Sequence, residues 1–507
     1  MTGGAGAPAL TAGAAGPVPS RVSLASEQFS GLIDFLLPRA RIDYCDLDTA
    51  ALARYLDAYH ATGDEYYYRA AEQVASALIW GQHPSGGWNY LVDFAGDRSL
   101  RDWYDTVGRN AWRLEEFQHY YGNATFDDQV TTDAATFLLR LYVERLDPRY
   151  KAPVDRAIQF VLDSQYPIGA WPQRFPLSHE FSKHGLADYS SYYTFNDDVV
   201  WENISFLIQA YQVLGDQRLL DPIMRGMNFF LVSQQGAPNP GWALQYTLDL
   251  KPAAARTYEP LALATHTTAA NIEHMIRFYE LTGDTRFLAR VPEAIDWLDS
   301  VKLAQPDERG RTHPTFIELG SNRPLYVHRR GSNVVNGEYY VDYDPKHPIG
   351  HYGSTRKLDV AGLRRHYEEA RKADPKALAK ASPLAGGAGV VELPRFFAEQ
   401  YAPPKKEGLA DQVRASLAGL NAAGFWPAPL PQTSYPYKGP GSKDVAPGDF
   451  GSTYVGDPGD TSPFPDTAKT QAISTQEYLR NMNILIRSLS QSGSRLTPEA
   501  QTSGVQH

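Results

Sequence analysis

The chain has 507 residues, 43% of them hydrophobic and 21% charged, with a formal net charge of -10. That is enough apolar material for a sizeable core, and the acidic balance excludes a general nucleic-acid binder, which is usually basic. One cysteine, Cys45, excludes an intramolecular disulfide framework and a thiolate metal cluster, and with no run of 18 apolar residues no transmembrane helix is expected.

Residues 1–25 are rich in Ala, Gly and Pro and read as a disordered lead. They have no basic n-region, so they are not an intact signal peptide; they suit the start of a secreted or periplasmic protein whose signal has been removed. From 26 to 305 a helical unit recurs. An apolar-periodic helix ends in a turn, a second helix follows, and a Gly/Pro/Trp loop closes the unit. The turns are Thr62-Gly63-Asp64, Leu146-Asp147-Pro148, Leu214-Gly215-Asp216 and Thr282-Gly283-Asp284. The loops after the first three pairs carry Trp88, Trp171 and Trp242, and Trp297 lies in the helix after the fourth turn. Glycine ends a helix in the left-handed conformation, and aspartate caps the next one. Helical hairpins that recur in this way must stack to bury their apolar faces. The expected fold is therefore all-α dominated, an incomplete (α/α) toroid over 26–305 whose long loops gather at one end into a cleft.

After residue 305 the pattern changes. Thr315–Glu318 and Leu325–His328 read as short strands, and Asn336-Gly337 is a strong hairpin signal. A helix is expected over about 357–372, so that 306–380 forms a small mixed α/β segment completing the cleft. Residues 381–507 read as a Pro/Gly-rich extension with a last helix over 473–489, where Leu479, Met482, Leu485, Ile486 and Leu489 make a broad apolar face.

Two segments suit an oxygen-ligand metal site: Thr125-Phe126-Asp127-Asp128, and Asn196-Asp197-Asp198 with Glu202. Both Asp pairs also stand where a helix begins, where N-caps and dipole-compensating acids are common. The residues alone leave these two readings open. Arg174, Arg323, Arg329 and Arg330 are candidates for bidentate binding of carboxylates. Trp171, Tyr192, Tyr193 and Trp242 are candidates for stacking on sugars, whereas Trp88 suits a buried helix end. His179, His184 and His266 have no metal-ligand spacing and read as loop or polar-core residues.

Six segments in consistent order resemble the calcium-dependent pectate lyases of polysaccharide lyase family 10. They are Thr125–Asp128, Gly169-Ala170-Trp171-Pro172-Gln173-Arg174-Phe175-Pro176, Tyr193-Thr194-Phe195-Asn196-Asp197, Trp242-Ala243-Leu244-Gln245-Tyr246, Ala255-Arg256-Thr257-Tyr258-Glu259 and Asn322-Arg323-Pro324. The sequence departs from the family at Thr247, where an Asp is expected. It also departs at the family's closing Glu-Arg-Arg-x-Gly-Tyr segment, where Gly350-His351-Tyr352-Gly353 and a long C-terminal region stand. The resemblance implies cleavage of an acidic, galacturonan-like polysaccharide by calcium-assisted β-elimination. Asp127, Asp128, Asp197 and Glu202 would hold Ca2+, and Arg256 would be the base at C5, with Arg323 the competing arginine. Trp171, Arg174, Tyr193, Trp242, Gln245, Tyr258 and Arg323 would bind substrate. The protein would act as a monomer with no nucleic-acid or membrane partner. Two other functions fit the same composition: a glycoside hydrolase using paired carboxylates such as Asp105 and Asp197, and a carbohydrate-binding protein without catalysis.

Overall fold

A computed structural model describes residues 41–43, 49–103, 122–177, 189–256, 258–330, 338–346, 348, 352–385, 408–429 and 471–491. Residues 1–25, His179, His184, Asp105 and Asn336-Gly337 lie outside them. The principal helices come in pairs: α1 (Thr49–Thr62) with α2 (Glu65–Gly81), α3 (Val130–Arg145) with α4 (Pro148–Ser164), α5 (Val199–Leu214) with α6 (Leu220–Ser233), and α7 (Thr265–Thr282) with α8 (Val291–Ser300). Then come α9 (Val360–Ala370) with α10 (Pro375–Ala381), and α11 (Leu409–Gly419) with α12 (Thr475–Gln491). The architecture is an α/α toroid.

The turns within the first four pairs use the device the sequence suggests. Gly63, Leu146, Gly215 and Gly283 take left-handed φ values of 71°, 53°, 66° and 69°. The next residues, Asp64, Asp147, Asp216 and Asp284, each accept a hydrogen bond from the backbone N–H two positions on, at 2.9, 2.9, 3.0 and 3.0 Å. These four aspartates are true caps.

A second repeated device joins each pair to the next. The indole N–H groups of Trp88, Trp171, Trp242 and Trp426 donate to the carbonyls of Leu78, Val161, Phe230 and Ser416 at 2.7–3.2 Å. Those carbonyls lie in the last turn of a helix, where backbone N–H partners run out, although the Ser164 and Ser233 hydroxyls also reach those of Val161 and Phe230. Gln82, Gln165 and Gln234 each donate from the side-chain amide to two carbonyls, one in their own loop and one in the following pair: Pro153, Pro222 and Arg290. The loops fit closely against their neighbours. At Gly169, with φ +109°, a Cβ would come within 2.1 Å of the Arg225 carbonyl oxygen. Gly169→Ala should therefore destabilise the protein by about 1–3 kcal/mol, read as a lower urea midpoint with an unchanged slope.

One apolar core runs through the toroid from Tyr55 to Ile486. Val413, Trp426, Met482, Leu485 and Ile486 belong to it, and α12 packs on both α11 and α1. The described C-terminal helices are thus not an appendage: they bring the end of the chain back to its first pair. Likewise α9 and α10 pack on α7 and continue the paired pattern, with Asp374 capping α10. The expected mixed segment survives as an antiparallel sheet ordered Glu338–Asp342, Pro324–Arg330, Phe316–Ile317, Leu263–Ala264. Among the described residues, no helix is long and apolar enough to cross a membrane.

Two-residue strands tie together the loops that precede the helices. Ala124–Thr125 pairs with Arg174–Phe175, and Tyr193–Thr194 pairs with Gln245–Tyr246, which pairs in turn with Pro252–Ala253. These ladders are too short to form a core. Their effect is to fix the residues just before α3 and α5.

Candidate active site

The same backbone path occurs twice at that end of the toroid. After Thr125, the turn Asp127–Gln129 leads into α3; after Thr194, the turn Asn196–Asp198 leads into α5. Each turn has two consecutive non-glycine residues with positive φ: Asp128 and Gln129 at 50° and 64°, Asp197 and Asp198 at 52° and 56°. This conformation is costly for L-residues and is tolerated best by Asp and Asn. No side chain caps the start of either helix or either turn. The carboxylates here are therefore not the N-caps that the residue types alone would allow. The strain brings them together instead, a combination typical of functional sites.

Asp127 is the centre of the cluster. Its Oδ1 accepts from Gln173 Nε2 at 2.9 Å, and its Oδ2 accepts from the Tyr90 hydroxyl at 2.5 Å, which also lies 3.1 Å from Asp128 Oδ2. Arg256 Nη2 donates to the same Asp127 Oδ2. The other arm of Arg256, Nη1, donates to Glu259 Oε1 at 2.8 Å and meets the Tyr352 hydroxyl at 3.3 Å. The Arg256 backbone N–H donates to Glu259 Oε2 at 3.0 Å. Tyr352 donates to Glu259 at 2.5 Å, and Asn196 Nδ2 donates to Asp197 Oδ2 at 2.6 Å. Asp127, Arg256 and Glu259 are all buried. A charged group so buried is tolerated only when paired, and here one guanidinium compensates two carboxylates.

The electrostatics divide the two aspartates. Burial opposes ionisation of Asp127, but the Arg256 charge and hydrogen bonds from Asp197, Tyr90 and Gln173 outweigh it and hold the carboxyl well below the usual range. Asp197 goes the other way. Burial, the Asp127 charge and hydrogen bond, and the Asp128 charge push it well above the carboxylate range, with Arg256 pulling back. The pair divides as neighbouring carboxyls do, with Asp127 favoured as the anion and Asp197 as the neutral acid.

Glu202 does not join this set. Its electrostatic neighbours are Asp133, Asp198 and Arg277, and burial with the two aspartates pushes it up to about 8. Trp171 and Trp242 are fully buried, with their indole N–H groups spent on the helix carbonyls described above. They show no ring face to a ligand, and their role is in the core. Tyr193 is also buried, edge-on to Tyr166 and Phe229, with its hydroxyl on the Leu248 carbonyl. Arg174 is buried, in register with Thr125. Gln245 is buried in register with Thr194, and among the described residues neither of its amide atoms has a hydrogen-bond partner. Tyr258 packs with Leu244 and Phe316 and lies 5.8 Å from the Tyr352 ring. Arg323 is exposed, its guanidinium 3.4 Å over the Tyr343 ring, in a patch with Glu318.

Reading the sequence alone overlooked Tyr90, Gln173, Glu259 and Tyr352. Two of them had a signal. Tyr90 and Gln173 each stand two residues after a loop tryptophan, and both reach Asp127. Among the described residues, no group of three His, Cys, Asp or Glu side chains is already gathered as a metal's ligands.

Residues 95–344, just under half of the chain, match the family model of the pectic acid lyases. No curated protein sequence matches the chain. Among solved structures, the chain is similar to a mutant family 10 polysaccharide lyase from Cellvibrio cellulosa in complex with trigalaturonic acid, at 18% identity and a TM-score of 0.41, covering 63% of this chain and 98% of that one. It is also similar to a family 76 α-1,6-mannanase from Salegentibacter (11% identity, TM-score 0.35, 93% and 100% covered) and to the cellobiose 2-epimerase of Spirochaeta thermophila (11%, 0.34, 71% and 97%). The matched segment contains Asp127, Asp197, Arg256 and Glu259, so the part of the chain that carries this cluster resembles the pectic acid lyases.

Proposed function

We propose that the protein cleaves a galacturonan-like acidic polysaccharide by calcium-assisted β-elimination outside the cytoplasm, with Arg256 as the base. The observation that carries this reading is the buried Asp127–Arg256–Glu259 cluster, with Asp197 as the electrostatic neighbour of Asp127.

Asp127, Asp128 and Asp197 supply the hard oxygen donors that calcium takes. A cation in place of the proton on Asp197 would relieve their mutual repulsion, so the donor set fits. Glu202, with its separate neighbours, is not needed for it. Bound there, calcium would withdraw charge from a substrate carboxylate and so acidify the adjacent C5 proton.

The remaining work falls to the chain's own residues. Arg256 is held in place at both ends of its fork, which fixes its approach to a substrate. A guanidinium is ordinarily always protonated, so a base role requires it to lose a proton before it takes the one at C5. Glu259, 2.8 Å from Nη1, offers the acceptor for that proton, and the Tyr352 hydroxyl, in contact with both, can relay it to Glu259. Tyr90 and Gln173 orient Asp127 from the opposite side.

The test is ultraviolet absorbance of the unsaturated product formed from polygalacturonate, with and without a chelator. Absorbance that appears and is lost on chelation supports the reading. New reducing ends without that absorbance would make the protein a hydrolase instead.

A further inference from the structure

The loop that closes the first helical pair departs from the other two of its kind. In each, the carbonyl of the loop tryptophan accepts from a backbone N–H standing before the next helix: Trp88 from Thr125, Trp171 from Thr194 and Trp242 from Ala264, at 2.8, 3.1 and 3.0 Å. The stretch from Trp88 to Thr125 is the longest of the three. Part of its extra length is the strand Leu91–Asp93, which pairs with Arg41–Asp43, and the short helix Asp97–Trp103.

Two aromatic rings meet where this extra chain crosses the end of α2. Trp80, in the last turn of α2, is 53% exposed, whereas Trp88, Trp171, Trp242, Trp297 and Trp426 are buried. It stands two residues before Gln82. The positions two before Gln165 and Gln234 are Asp163 and Val232, both exposed, so the repeat itself does not call for an aromatic here. Phe94 is half-buried and supports the indole from one side, with ring centroids 5.0 Å apart and planes 31° apart. The pair is held firmly. A Cβ on Gly81 would fall within 2.5 Å of a Val92 methyl carbon, so only glycine lets the helix end lie so close to the strand. The buried Asp93 accepts from the Ala95 N–H at 3.0 Å, and its carbonyl accepts from Gly96 at 2.9 Å, which fixes the turn around Phe94.

This platform is continuous with the candidate active site. Tyr90, just before the strand, donates to Asp127, and Phe94 is four residues further on, at most about 13 Å along an extended chain. Trp80 and Phe94 stand just before the segment that matches the pectic acid lyases. Single exposed apolar side chains are ordinary. A ring kept half in water and braced by a second ring is a different case: the exposed apolar area is unfavourable, and a rigid aromatic with two rotatable bonds loses little entropy on binding. The flat C–H face of a pyranose covers such a ring while its hydroxyls stay in water.

We propose that Trp80, supported by Phe94, is an outer sugar-binding platform that holds a distal pyranose of the polysaccharide, away from the reacting bond, and so favours long chains over short ones. A second contact on the same chain adds to the first without the full cost of association. That the ligand is a polysaccharide rests on the function proposed above; stacking on a sugar ring itself needs no calcium.

The experiment titrates the full-length protein with oligogalacturonates of increasing length, by calorimetry or NMR, with a chelator present to stop turnover. Wild-type affinity should rise with length. Trp80→Ala should lower the affinity for the long oligomers by about 2- to 10-fold, with a loss that grows with length. Trp80→Tyr should keep most of the affinity, and Phe94→Ala should lose less than Trp80→Ala. Trp80 is exposed, so its replacement should cost little stability, which circular dichroism and thermal unfolding check. Wild-type binding by Trp80→Ala at every length, an equal loss at all lengths, or no binding by the wild type would overturn the inference. So would sedimentation showing a wild-type dimer that Trp80→Ala dissociates without affecting oligomer binding, since the pair would then be a contact between copies. Release of unsaturated product from polygalacturonate in calcium is measured separately. Product formation with no Trp80 effect on binding leaves the lyase reading standing and removes this inference, and length-dependent binding through Trp80 without product does the reverse.

Discussion

Replacing Arg256 with alanine is expected to lower kcat by about 100- to 10,000-fold or more, the usual contribution of a positioned acid or base. KM should change much less, because the other groups proposed to hold calcium and substrate are untouched. Arg256→Lys should not restore the rate, since an ammonium cannot span Asp127 and Glu259 as the fork does. The substitution has a second consequence that the buried geometry makes specific. Without the guanidinium, Asp127 and Glu259 are left buried with no cation, a change that typically costs about 3–5 kcal/mol. Thermal unfolding of Arg256→Ala should therefore shift down clearly, and less so for Arg256→Lys. Assays well below the lowered transition separate the two effects. If KM rises while kcat stays near wild type, Arg256 only binds substrate, and the base must be sought at Arg323.

Asp197→Asn should have opposite effects on function and stability. In the metal-free protein, Asp197 is crowded by burial and by Asp127 and Asp128, which push its carboxyl well above the ordinary range. The native state therefore binds more protons than the unfolded chain between the ordinary carboxylate range and the raised value. Stability must fall as pH rises through that window. Asparagine keeps the shape of the neutral form and cannot ionise, so the variant should be more stable than wild type at neutral pH without calcium, and its Tm should depend less on pH. On the function proposed above, the same substitution removes a metal ligand. Calcium affinity should fall at least about 100-fold, since loss of even a ligand's supporting partner costs about 10- to 100-fold, and lyase activity should fall with it. Calorimetric titration with calcium and thermal scans across pH check both halves. Wild-type calcium affinity in Asp197→Asn would remove Asp197 from the metal site.

Much of the helical architecture is legible in the sequence because its determinants are local. Gly63-Asp64, Gly215-Asp216 and Gly283-Asp284 end one helix and cap the next within three residues, and such a signal needs no long-range information. The paired loops could be read for the same reason. Their tryptophans could not be placed: as loop residues beside Gly, Asn and Gln, Trp171 and Trp242 suit sugar stacking equally well. Only the helix carbonyls that receive their indole N–H groups show that they are structural. The C-terminal helices look like an extension because masses of Pro and Gly precede α12 in sequence; their place in the core depends on α1, more than 400 residues away in the chain.

The site shows the same division most clearly. An Asp at a helix start reads alike in Asp64, Asp147, Asp127 and Asp197. In the first two the carboxylate folds back onto its own backbone, and in the last two the positive-φ turn swings it away. That choice is made by the short ladders Thr125–Arg174 and Thr194–Gln245, which join segments some 50 residues apart. The sequence by itself determined the helical repeat, the acidic and arginine-bearing segments, and the chemistry they are suited to, because composition and local spacing decide those. Only the tertiary structure decided which carboxylates face one another and that Arg256 is clasped by Asp127 and Glu259. Burial and like-charge proximity are properties of the assembled chain, and no residue's local context encodes them.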